Sequence, residues 1–159
     1  MILMKHNPDR YSSQVGEVWA HFMFKVKYCH NIFDNFGYRN ACHGLILQAC
    51  RKYEIRMKDN VIGFDSNHVH SILGMGLKSK PEIAKKIKGF VARKFFKLFP
   101  ELKLSKSQGG KFWGSGLWSP ASYGANPTEI NFTVNYIQNQ KYGSARDQAK
   151  QYRLTLFCD

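Results

Sequence analysis

The chain has 159 residues, with 24 Lys and Arg against 11 Asp and Glu, a formal charge of +13 and an isoelectric point near 9.7. That length suits one domain with a real core, and 43% hydrophobic with 14% aromatic content argues against disorder. So large a positive excess points to a polyanionic partner, nucleic acid ahead of an anionic membrane surface, and no apolar run approaches the roughly 20 residues that span a bilayer.

The start, MILMKHNPDR, lacks the basic, apolar and small order of a signal peptide. Cys29, Cys42, Cys50 and Cys158 form neither a C-x-x-C pair nor zinc-finger spacing, so they read as free thiols in a reducing cytoplasm. No repeat or low-complexity linker divides the chain. A single domain is expected, with its core over about 16–125, a helix over about 127–142 and a tail over 143–159.

In chain order, residues 16–28 alternate apolar and polar positions and are rich in aromatics, as a strand should be. Ala41, Leu45, Gln48, Ala49 and Lys52 fall at helical spacing and predict a helix over 38–53. Two strand-like runs follow, Tyr53–Phe64 and His68–Met75. Asp65, Ser66 and Asn67 between them are turn residues, which makes the pair a β-hairpin. Pro81 opens a helix that runs to about Phe99, with Ile83, Ile87, Phe90, Val91 and Leu98 on one side. Residues 104–124 are rich in Gly, Ser and Trp and read as loop plus a short strand. The last helix runs from Pro127 to about Tyr142, with Asn126 as N-cap and Glu129 three residues on. This order of elements predicts an α+β fold, an antiparallel sheet with helices mainly on one face.

The sharpest local signal is His68-Val69-His70. Side chains alternate along a strand, so the two imidazoles share a face and Val69 takes the other. Their backbones stand about 7 Å apart, close enough to converge on one metal at bonds of roughly 2.1 Å. Two histidines on a half-exposed strand would give the same pattern, and zinc hydrolases with H-x-H continue to Asp and a further His. Here Ser71-Ile72-Leu73-Gly74 follows, so any third ligand comes from elsewhere. In the last helix Tyr136 and Gln140 stand at i and i+4 on one face. Ile130, Val134 and Ile137 form a separate stripe, about 100° away. A phenol with a pKa near 10 is a poor nucleophile and needs electrostatic help. A divalent ion held by two imidazoles and an amide oxygen could supply it.

With both elements in hand, the chain resembles the single-tyrosine HUH transposases of small insertion sequences (the TnpA type). His68-Val69-His70 matches their H-hydrophobic-H signature, and Tyr136-Ile137-Gln138-Asn139-Gln140 matches their Y-x-x-x-Q helix. The stretches FKVKYCHNIF, IKGFVARKFFKLFPELK and GGKFWGSGLWSPASY are also similar, so the likeness covers roughly residues 20–142. It implies a ferredoxin-like, RRM-like antiparallel sheet with a C-terminal catalytic helix. It also implies a homodimer with composite active sites, hairpins at element ends as targets, and cleavage of single-stranded DNA through a 5′-phosphotyrosine without ATP. On this view His68, His70 and Gln140 ligate Mg²⁺ or Mn²⁺ and Tyr136 is the nucleophile. Two stretches depart from the family: Asn67 stands where Asp is common, and Gly124-Ala125-Asn126-Pro127 replaces a Val-Gly-containing sequence.

Between Lys78 and Lys111 lie eleven Lys and Arg against Glu82 and Glu101. Lys86, Arg93 and Lys97 make a helical stripe expected to contact phosphates, while a solvated helix face is the plain alternative. Trp113, Trp118 and Tyr123 could stack unpaired bases, with Trp118 leaning toward the core. His21, His30 and His43 lack a partner pattern and receive no role. Two rival functions remain at this level: a non-catalytic single-stranded nucleic-acid-binding module, and a domesticated HUH nickase of repeat sequences.

Overall fold

A computed structural model describes residues 17–104, 111–124 and 127–143. Five strands form one antiparallel sheet in the order β4-β1-β3-β2-β5. These are β1 (Trp19–Lys25), β2 (Met57–Phe64), β3 (His68–Gly74), β4 (Ser122–Tyr123) and β5 (Tyr142–Gly143). The helices are α1 (Phe36–Lys52), α2 (Lys80–Leu98), the short α3 (Pro100–Leu104) and α4 (Pro127–Gln138).

Alternation splits the sheet into two faces. Ala20, Phe22 and Phe24 of β1, with Val69 and Leu73 of β3, enter the larger core under α1 and α2. Trp19, Val61 and Ile72 point the other way and meet Ile130, Val134 and Ile137 of α4. The expected stripe on the last helix is thus the one that seats it, and α+β with most helices on one face is the observed architecture.

Helix starts follow their caps. The Asn35 side chain accepts from the Tyr38 backbone N–H, and Ser79 accepts from that of Glu82, with Pro81 in the first turn of α2. The expected N-cap Asn126 and the tail 144–159 lie outside the described residues. On α2 the expected Ile83, Ile87, Phe90 and Val91 are buried, joined by Ala84 and Phe95, whereas Leu98, expected with the first four, is exposed at the helix's last residue.

Two element boundaries differ from expectation. The second strand begins at Met57 rather than Tyr53, because Tyr53 caps α1 and the ladder with β3 shifts register between Met57 and Ile62. Asp59 and Asn60 take left-handed backbone there, which short polar side chains tolerate. The last helix stops at Gln138, not Tyr142, because Tyr142 and Gly143 pair with Phe64 and Gly63 of β2. Among the described residues no helix is long and apolar enough to cross a membrane. Cys42 and Cys50 are free and buried.

Candidate active site

The histidine strand is central in the sheet, and its register fixes the site. His70 lies opposite Met23 of β1 on one side and Gly63 of β2 on the other. His68 and His70 share the α4 face, with ring centroids 4.9 Å apart. The Nδ1 of His68 is 2.7 Å from the Asn67 Oδ1. An amide oxygen only accepts, so the proton sits on Nδ1 and the Nε2 lone pair is left for another partner. The Nδ1 of His70 is 2.9 Å from the Nε2 of His21.

The Nε2 of His70 is buried without a hydrogen-bond partner. Leaving such an atom unmatched costs about 1–3 kcal/mol, and a water or an ion is the usual partner that meets it; Trp113 Nε1 is likewise buried without a partner, but among aromatic rings. No set of three His, Cys, Asp or Glu side chains among the described residues is arranged to hold a metal. Two imidazole Nε2 atoms, with their Nδ1 atoms engaged, nevertheless fit a divalent cation once a further oxygen donor is added.

Tyr136 stands beside His70 and His21 in its own chain. Its ring centroid is 5.7 Å from that of His70 and 6.2 Å from that of His21, both edge-on, and the residue is 51% exposed. Two glycines make this approach possible. A Cβ on Gly63 would lie 2.2 Å from the carbonyl oxygen of Ile137, and one on Gly143 would lie 2.2 Å from that of Gln138. The end of the tyrosine helix therefore rests directly on backbone, opposite His70. The segment after it is tied down by Asp34, whose carboxylate accepts from Tyr142 Oη (2.7 Å), Ser66 Oγ (2.7 Å) and Lys141 Nζ (3.1 Å). These hydrogen bonds, that of Tyr142 foremost, hold the Asp34 pKa down to about 2.

Gln140 does not share a helical face with Tyr136, because the helix ends two residues before it. Its backbone N–H bonds to Ile137 in a tighter turn, and its side-chain Nε2 donates to the Tyr136 carbonyl at 3.3 Å. That leaves Oε1 as its possible ligating atom.

The tryptophans exchange the positions expected of them. Trp113 is 6% exposed, packed among Phe24, Phe33 and Phe112, so no base can stack on it. Trp118 is 44% exposed and stands edge-on to His21 at 5.4 Å and His70 at 6.0 Å. Lys88 holds this loop through the carbonyls of Gly114 (2.9 Å) and Gly116 (2.8 Å). Tyr123 donates to or accepts from Thr133 on α4. The residue sequence reasoning missed is His21, whose partner is 49 residues away and is met only through strand pairing.

The α2 stripe is not part of this cluster, since α2 covers the opposite face of the sheet. Lys86 is 3.8 Å from Glu82 and lies over the Tyr53 ring, whereas Arg93 and Lys97 are exposed. Replacing all three with Ala is expected to flatten the dependence of log Kd for a DNA hairpin on log salt by roughly 2 to 3 units if each contacts one phosphate. Single-turnover cleavage at saturating protein should be unchanged. Anisotropy titrations at several salt concentrations check the first, and a slope equal to wild type would remove the stripe from the interface.

Burial lowers His21 to about 4 and His70 to about 3, against an ordinary value of 6.5. Folded, both stay neutral; unfolded, both protonate below 6.5. Their contribution to stability is thus whole above pH 6.5 and is withdrawn as pH falls toward 3 to 4. The metal-free protein should show a lower urea midpoint at pH 5 than at pH 7.5, and His21→Gln should shrink the difference.

A family model, "Transposase IS200 like", matches residues 14–140. The chain belongs to the IS200-like transposase family. Among solved structures, one assigned as a transposase from Deinococcus radiodurans R1 is 21% identical, with a TM-score of 0.56 over 85% of this chain and 99% of that one. A REP-associated tyrosine transposase bound to a REP hairpin is 17% identical, with a TM-score of 0.52 over 85% of this chain and 71% of that one. No curated protein matches.

Proposed function

We propose that this transposase cuts and rejoins single-stranded DNA with Tyr136 as nucleophile, at a site built within one chain. The observation that carries the reading is the unpartnered Nε2 of buried His70, next to a half-exposed phenol. A binding module without chemistry has no use for that pairing.

His68 Nε2, His70 Nε2 and Gln140 Oε1 would hold Mg²⁺ or Mn²⁺. When bound, such an ion polarises the scissile phosphate and steadies the leaving oxygen. The Tyr136 oxygen attacks phosphorus and gives up its proton, and the bond to the 3′ oxygen breaks. That oxygen departs with the electron pair and is protonated to a 3′-OH. The phosphate remains on the tyrosine as a 5′-phosphotyrosine, so attack by a new 3′-OH restores a phosphodiester without ATP. Gln140 is bonded through Nε2 to the Tyr136 carbonyl, which keeps its amide close to the nucleophile's backbone. Hairpin DNA is the substrate we assign, given the family and the DNA-bound neighbour.

The test is a denaturing gel of protein, Mn²⁺ and labelled single strands carrying a hairpin. A covalent adduct that EDTA suppresses is expected; no adduct on any such strand refutes the reading.

The resemblance carries a homodimer with exchanged tyrosine helices, but the 5.7 Å separation within one chain favours action in cis. Mixing His70→Ala with Tyr136→Phe distinguishes them. A composite dimer regenerates one intact site per mixed dimer, whereas cis action predicts no recovery of adduct above either variant alone.

A further inference from the structure

The reading of His68 and His70 as ligands leaves the buried His21 without a task. His21 is 4% exposed, and its Nε2 meets the Nδ1 of His70 at 2.9 Å. In the β1–β3 ladder Met23 lies opposite His70 and His21 lies opposite Ile72. His21 is therefore one pair along on the same face, within diagonal reach for a ring. It is itself held in place: its backbone N–H donates to Ala121, its carbonyl accepts from Ser119 Oγ, and Trp118 lies edge-on to its ring.

Two neutral imidazoles in contact share one proton, and its position decides what His70 can do. With the proton on His21 Nε2, the lone pair of His70 Nδ1 is occupied and its Nε2 carries a buried N–H with nothing to receive it. With the proton on His70 Nδ1, the unmatched atom becomes a lone pair, which a cation can take. We infer that His21 is a positioning residue: its unprotonated Nε2 accepts the Nδ1–H of His70 and fixes the tautomer that leaves His70 Nε2 open to the cation. Asn67 does the corresponding work on His68 from the adjacent backbone position. Each ligand then has its own acceptor, one local and one from a neighbouring strand. Partners of this kind commonly govern metal affinity by 10–100-fold.

This inference rests on the proposed ligand set and can be tested separately from it. Long-range ¹H–¹⁵N spectra of the metal-free wild-type protein should show His70 protonated at Nδ1; protonation at Nε2 overturns the inference before any substitution is made. Mn²⁺ titrations followed by electron paramagnetic resonance then compare wild type, His21→Leu and His21→Gln. Leu should weaken binding about 10–100-fold and release the His70 tautomer. Gln, whose Oε1 can accept in place of Nε2, should restore at least tenfold of that loss. Circular dichroism and thermal melting check that Leu leaves the fold intact; if it does not, the Gln variant and the wild-type spectrum still decide. Wild-type affinity in His21→Leu, or no recovery with Gln, overturns the inference while leaving the site reading standing. If His68→Ala and His70→Ala bind Mn²⁺ as wild type does, the ligand set fails and the inference with it.

Discussion

Tyr136→Phe should lower adduct formation at least about a thousandfold while leaving hairpin affinity within about twofold. The ring removed and the ring supplied have the same shape, so the edge contacts with His70 and His21 persist and only the oxygen is lost. Tyr136 is half exposed and lies off the stripe of Ile130, Val134 and Ile137, so the seat of α4 is undisturbed. Nearby phenols cannot replace it where they stand: Tyr123 is hydrogen-bonded to Thr133 and Tyr142 to Asp34. Gel quantification of adduct beside anisotropy with the same labelled strand gives both numbers. Residual adduct near the wild-type level would move the nucleophile elsewhere.

Gly63→Ala should have the next largest effect, although the residue carries no chemistry. The added methyl would sit 2.2 Å from the Ile137 carbonyl oxygen, a backbone atom that cannot swing aside. The last turn of α4 must lift, carrying Tyr136 away from His70. A misplacement of about 1 Å at a reacting group can lower a rate by roughly 100-fold, and overpacking of this kind destabilises by about 1–3 kcal/mol. Adduct formation should fall accordingly, urea unfolding should shift by that amount, and hairpin binding should be kept. Wild-type cleavage by Gly63→Ala would mean that α4 is not seated on β2 during catalysis. Gly143→Ala, against the Gln138 carbonyl, offers a companion test from the other glycine of the pair.

What could be read from the chain alone was whatever is local. Alternation put His68 and His70 on one face, Asp65-Ser66-Asn67 marked the hairpin, and the Ile130, Val134 and Ile137 spacing located the buried side of α4. What could not be read depends on partners distant in sequence. Helical periodicity runs on through Gln140, but the pairing of Tyr142 and Gly143 with β2 ends the helix early and turns the Gln140 amide onto Tyr136. His21 has no local pattern, because its partner is brought to it by the ladder between β1 and β3. The tryptophans were misplaced for the same reason. A segment of Gly, Ser and aromatics does not declare which ring meets Phe33 and Phe112 and which is left at the surface.

The carboxylate of Asp34 bonds at once to Ser66, in the turn leading into the histidine strand, and to Lys141 and Tyr142, just beyond the tyrosine helix. One side chain thereby clamps the turn before β3 to the segment that follows α4, so a pull on either is resisted by the other. On the proposed mechanism, that clamp would oppose any drift of the Tyr136 phenol away from the histidine strand while the cut ends are apart.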